Sequence, residues 1–245
     1  MSTILSSRPR PGAAAPASAA PPRERILLTA HDLFYRDGIR ATGIDRVIAE
    51  SGVAKVTFYR QFASKDALVL AFLAHRHERW MAWFVDALAR HGGGPAAIVP
   101  ALAEWFARAD YRGCAFLNSV GELGAALPAV VDAARGHKAD MTAAIAALLP
   151  PGAARGRVAR ALALAVDGAI VQSRHLRPSG AALVALGDVV AALVDTGPGM
   201  STQGAKLRAN AGKSGAEAAR ADASRPVSAR ARARRPAASP PEAGR

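Results

Sequence analysis

Apolar residues recur along this chain at helical spacing and almost nowhere at the alternation of a strand. Ile26, Ala30, Leu33 and Phe34 fall at i, i+4, i+7 and i+8 on one face of a first helix, entered through Pro21-Pro22 and left at Asp37-Gly38. Ile44, Val47 and Ile48 give the inner face of a second helix. Thr42 or Gly43 starts it, and a threonine there accepts from an orphan backbone N–H. Gly52 supplies a tight turn, where a side chain would strain the backbone. Residues 54–60 predict a short third helix. Ser64 caps a fourth that can run to about His91, with Asp66 in the first turn, where a negative charge suits the helix dipole. Its stripe is Leu68, Phe72, Trp80, Trp83, Phe84 and Leu88, and Gly92-Gly93-Gly94-Pro95 stops it.

Beyond that stop the same period predicts helices over 96–109, 115–126 and 128–149, the last with Pro128 in its first turn. Two more close the pattern. One spans 154–175 with Val158, Leu162, Ala165, Val166, Ala169 and Ile170; the other spans 179–195 with Leu183, Leu186, Val190 and Leu193. The expected fold class is therefore all-α. Residues 1–22, rich in Ala, Pro and Ser, predict a disordered arm, and residues 196–245, without periodicity, a disordered basic tail. Between them lie a small N-terminal helical domain, 23–66, and a larger helical body, 67–195.

The formal charge of +13 over 245 residues first suggests a polyanion-binding surface. It is unevenly placed: 196–245 carry a net +7, 1–22 a net +2, and 23–195 only +4. The run Arg-Ala-Arg-Ala-Arg-Arg at 230–235 would add nonspecific attraction to phosphates. The single cysteine, Cys114, excludes an intramolecular disulfide and a cysteine zinc cluster. No apolar run reaches the ~18 residues of a membrane span, and Ser2–Pro22 has no hydrophobic block like a secretory signal. A cytoplasmic location is the expectation.

Sequence signatures of catalysis are missing: there is no Gly-x-Ser-x-Gly, phosphate loop or His-Glu-x-x-His. His75 and His77 sit two apart and so face different ways on a helix; His31, His91, His137 and His175 stand alone. No enzyme activity, metal or cofactor is expected. Residues 38–68, by contrast, read as helix, glycine turn and short helix, the shape of a helix-turn-helix DNA reader. The exposed N-terminal end of the third helix is Ala54, Lys55, Val56 and Thr57. Lys55 can donate to guanine or phosphate, and the methyl groups of Ala54, Val56 or Thr57 can touch a thymine methyl. Tyr59 and Arg60 lie on the flanks, where phosphates pass. Thr42 and Lys65 sit at helix N-termini, which already favour anions.

Residues 24–68 resemble the DNA-binding domain of the tetracycline-repressor (TetR) family of bacterial transcriptional regulators. The resemblance is carried by Ala30, Phe34, Gly38, Thr42, Gly52-Val53, Phe58-Tyr59-Arg60, Phe62 and Ser64-Lys65-Asp66-Ala67-Leu68. The sequence departs from the family pattern at Ile48, often an alanine, at Ala54, often a serine, and at Gln61, a frequent histidine. The resemblance implies a homodimer built by the last two helices, a palindromic operator and a small-molecule pocket in the body. Candidates for an apolar or amphipathic effector are Trp83, Phe84, Trp105, Phe106 and Phe116, with Asn118, Glu122 and Asp167 as polar contacts. The stripes Leu162, Ala165, Ala169 and Leu186, Val190, Leu193 are the expected dimer surface. The resulting expectation is a ligand-responsive repressor. An activator, an effector-free regulator and a nonspecific nucleic-acid binder driven by the tail stand as alternatives.

Overall fold

The computed structural model describes residues 20–175 and 180–194. Among them are nine α-helices, one 3-10 turn and no strand, in line with the expected class. The helices are α1 Pro22–Asp37, α2 Ile44–Ser51, α3 Lys55–Gln61, α4 Lys65–Arg90, α5 Ile98–Phe106, α6 Ala115–Leu123, α7 Pro128–Ala147, α8 Arg155–His175 and α9 Gly180–Val194; the 3-10 turn, Pro95–Ala97, precedes α5. The expected tail lies outside the described residues. So does the expected arm except for residues 20–22, and Pro22 already begins α1. The fifth helix is shorter than expected because a 3-10 turn takes its start and the chain leaves the helix after Phe106.

Helices α2 and α3 pack on α1, which also packs on α4. Ile26, Ala30, Leu33, Val47, Phe58, Phe62 and Leu68 are buried in this part of the core. In the body α4 lies against α7, α7 carries α6 and α8, and α8 carries α9. Every residue of the α4 stripe is buried except Trp83, which is half-buried. Ser64 does cap α4: its Oγ accepts from the N–H of Ala67 at 3.1 Å. Such a cap is worth about 1 kcal/mol.

Thr42 does not cap α2. Its side chain is fully buried and its Oγ1 donates to the Gly38 carbonyl at 2.8 Å, leaving Gly43 at the N-cap with no side-chain acceptor. The hydroxyl is drawn backward because Gly38, at φ 92°, turns the chain so that its carbonyl points at residue 42. Gly52, at φ 63°, makes the left-handed turn between α2 and α3 that a β-carbon would strain.

Tyr35 ties α1 to the loop before α6. Its buried hydroxyl donates to the Gly113 carbonyl at 2.9 Å and accepts from the Arg112 N–H at 3.0 Å. Tyr35→Phe leaves both backbone groups without that partner, so we expect a loss of about 1–3 kcal/mol. A lower urea midpoint with an unchanged slope would register it; an unchanged midpoint would show that water replaces the hydroxyl.

The residues expected to form the dimer surface need a correction. Leu162, Ala169, Leu186 and Val190 are buried within the chain itself, and Ala165 and Leu193 are partly buried against the same core. Helices α8 and α9 use those stripes on each other and on α7 and α5. The large apolar groups they leave exposed are Leu164, at 75%, Val184, at 67%, Val171, Val189 and Val194.

Candidate nucleic-acid interface and effector clefts

Helix α3 is anchored by one side and open on the other. Phe58 is fully buried, edge-on to Tyr59 at 5.3 Å between centroids. Ala54, Lys55, Val56, Tyr59 and Arg60 are exposed, and Thr57 is half-buried. Val56 stands 66% exposed, an apolar side chain that nothing in the fold uses. The open end of the helix therefore presents one cation and a row of methyl groups, the set that reads base edges in a major groove. Lys55 Nζ lies 3.2 Å from Asp45 Oδ1, and that carboxylate raises the lysine's pKa. Both ends of the pair are exposed, so it is readily exchanged for a nucleic-acid contact.

Two arginines in the first turn of α1 lock this arrangement, and sequence reasoning missed both. Arg25 donates to the Ser51 carbonyl at 2.6 and 3.1 Å and to the Gly52 carbonyl at 2.7 Å. Arg23 donates to the Gln61 carbonyl at 2.9 Å and stacks over the Phe62 ring at 4.4 Å. They satisfy the last carbonyls of α2 and α3, which a helix cannot satisfy internally. Their partners lie 26 to 38 residues away, and no local pattern encodes that.

Of the remaining interface candidates, Lys65 begins α4 and is half-buried; burial lowers its pKa, opposed by the nearby Glu122 and Asp66 carboxylates. Thr42 is withdrawn from the surface altogether, so its side chain offers nothing to a phosphate.

The eight effector candidates do not form one pocket. Trp83 and Trp105 line a cleft of about 350 Å³ with His31, Asp32, Arg76, Arg79, Trp80, Arg108 and Asp110. Trp105 and Phe116 line a small inner pocket behind it, shared with Arg76, Trp80, Cys114 and His137. Asn118 and Glu122 line a separate cleft of about 340 Å³ beside Gly38, Arg112 and Arg174. Phe84 and Phe106 line none of these and serve the core. Asp167 is an ion-pair partner of Lys138 at 2.5 Å, both largely buried. Glu122 acts as a link: its carboxylate accepts the Arg40 N–H at 2.8 Å while its carbonyl accepts from Arg40 Nε at 2.6 Å. These are tertiary decisions: Trp83, Phe84, Trp105 and Phe106 pack against one another, while Asn118 and Glu122 face a different cleft.

His137, which stood alone in the sequence, meets His77, with 3.2 Å between their Nδ1 atoms. It stacks flat on Phe116 at 3.8 Å between centroids, and burial, aided by Lys138, pushes its pKa down to about 3. It is therefore a neutral core residue at ordinary pH. No group of three metal-ligating side chains occurs among the described residues, and no described helix is long and apolar enough to cross a membrane.

Residues 26–72 match the model of the bacterial regulatory proteins of the tetR family. A TetR-family transcriptional regulator from Streptomyces coelicolor aligns with a TM-score of 0.64 at 28% identity, over 73% of this chain and 92% of that one. A TetR-type transcriptional regulator from Streptomyces avermitilis aligns with a TM-score of 0.60 at 31% identity, over 72% of this chain and 99% of that one. Among curated relatives, a helix-turn-helix regulator from Lactococcus lactis is 27% identical over 108 residues, 42% of this chain. UidR of Escherichia coli is 32% identical over 66 residues, 27% of this chain. These two alignments span 55% and 34% of the relatives' own lengths. With an all-helical body behind a glycine-turned, methyl-faced reading helix, the chain belongs to the TetR family of DNA-binding, helix-turn-helix transcriptional regulators.

Proposed function

We propose that the chain is a homodimeric repressor that holds a near-palindromic operator and releases it when a small molecule binds in the body. In this reading residues 23–66 are the DNA-binding domain and residues 67–195 the effector-binding and dimerisation domain. The observation that carries it is the exposed end of α3, where Val56 faces solvent and Lys55 holds only an exposed pair with Asp45. Lys55 would exchange Asp45 for a guanine edge, Ala54, Val56 and Thr57 would touch bases, and Tyr59, Arg60 and Lys65 would hold phosphates.

Two observations support the rest. Leu164, Val171, Val184 and Val189 expose aliphatic surface on α8 and α9, where a two-fold axis would place the same patch against itself. The Arg40–Glu122 and Tyr35–Gly113 contacts join α6 and its preceding loop to the head, so a shift of that segment would tilt the head. A ligand moves such an equilibrium only by its differential affinity for the two states.

The test is selection of the operator from random duplex DNA, followed by Lys55→Ala. We expect an inverted repeat, and a loss of about 1–3 kcal/mol confined to one base position per half-site. A uniform loss on every sequence would make Lys55 a phosphate contact. Failure to select any repeat would sink the operator reading.

A further inference from the structure

We propose that the cleft walled by α1, α4 and the α5–α6 connection binds a flat aromatic carboxylate, its charge on Arg76 and its ring against the three tryptophans. This rests on the effector reading above and names the chemistry of the ligand. Arg76, Arg79, Trp80 and Trp83 fall at i, i+3, i+4 and i+7, so α4 turns all four toward one side, and all four line the cleft. Trp105 closes the aromatic wall, with its ring 5.4 Å from Trp80 and 6.1 Å from Trp83.

The cations decide the sign of the ligand. Arg76 is largely withdrawn from solvent, yet no carboxylate among the described residues pairs with it. Its guanidinium lies over the Tyr35 ring at 3.9 Å, and its Nη1 donates to His31 Nε2 at 3.3 Å. That contact requires His31 to carry its proton on Nδ1, which donates to Asp32 Oδ1 at 2.9 Å. The other acid on the wall, Asp110, is held by Arg108 through two contacts of 2.9 and 3.0 Å. Asp110 is thus paired with Arg108, and Asp32 is largely exposed and accepts from a neutral His31; against these two acids the lining sets Arg76, Arg79 and Arg108, and Arg76 keeps unused donors. Asp110 acts on Arg76 only from beyond contact distance, and a largely buried cation that no carboxylate contacts is costly unless something supplies one.

A second, independent observation points the same way. The indole N–H of Trp80, a side chain only 6% exposed, has no hydrogen-bond partner. Orphaned buried donors are uncommon and call for an explanation. A carboxylate entering between Arg76 and Trp80 accepts from both, and a guanidinium fork matches the two oxygens of a carboxylate. The three indoles meet at interplanar angles of 47–65° and form an angled aromatic corner, in which the half-buried Trp83 is the most open face for a ligand ring.

Calorimetric titration of the full chain with 2-naphthoate, its neutral amide and acetate tests this. We expect 2-naphthoate to bind, with the amide weaker by about tenfold or more because it lacks the charge-assisted bonds, and acetate weaker still because it lacks the ring. Arg76→Met, which keeps the apolar stem, should erase the preference for the acid over the amide; the exposed Arg79→Gln should reduce it without risk to the fold. In a spectrum of protein labelled with 15N-tryptophan, the Trp80 indole resonance should shift on adding 2-naphthoate. Equal affinity for acid and amide, an Arg76→Met variant with unchanged preference, an unmoved Trp80 signal or no binding of 2-naphthoate would each overturn the proposal. If 2-naphthoate binds as expected while the selected operator is held as tightly as before, the carboxylate site stands and the effector reading falls, because coupling between two sites must be reciprocal.

Discussion

The double variant Leu164→Arg, Val184→Arg is expected to be a folded monomer whose affinity for a full operator drops by about a hundredfold or more. Both side chains are among the most exposed large apolar groups of the protein, at 75% and 67%, so the chain's own core does not need them. In a two-fold interface each would be buried twice, and burying a Val or Leu contributes about 1.5–3 kcal/mol. Arginine in that place brings unpaired charge across the axis. A monomer keeps one reading head and loses the gain of roughly 10²–10⁴ that linked heads provide. Sedimentation velocity at micromolar concentration reads the assembly, circular dichroism confirms the helices, and a mobility-shift titration reads the DNA. A wild-type chain that sediments as a monomer would remove the dimer from the proposed function. By contrast Ala169→Glu, within the stripe that periodicity marks as a dimer surface, puts a carboxylate into the chain's own core and should unfold it instead.

Phe58→Ala should abolish DNA binding without touching a DNA-facing atom. Phe58 is fully buried beneath the reading helix and is the only buried residue of α3. Truncating a buried phenylalanine costs about 3–5 kcal/mol, a large share of the roughly 5–15 kcal/mol that stabilises a whole domain. With a helix of 7 residues the local propensity cannot hold the shape alone. The expected result is loss of amide protection over residues 44–62 in hydrogen exchange, with the body's helices retained and operator binding lost. Protection that survives at wild-type levels would show that the Arg23 and Arg25 clamps suffice to hold α3.

The periodicity of α1, α2 and α4 was enough to read the all-helical class and the turn at Gly52, because burial of one helical face leaves a period of 3.6 in the chain. The same local rules located Ser64 as a cap and Ala54 to Thr57 as the open end of α3, since both depend on neighbours only a few residues away. The sequence also carried the family resemblance, dense over residues 24–68. What it could not decide was which of two apolar faces turns inward. On α8 and α9 the regular stripes entered the core and the less regular aliphatics stayed outside, because the choice depends on where α7 and α5 lie. Nor could it place Arg23, Arg25 and Arg40, whose acceptors are backbone carbonyls and a carboxylate far along the chain. It misjudged Thr42 because the carbonyl of Gly38 outcompeted the helix terminus for its hydroxyl. Sequence patterns record which side chains avoid water; only the packed structure decides which of them meet, and that is why the unpaired charge of Arg76 and the orphaned N–H of Trp80 became visible only there.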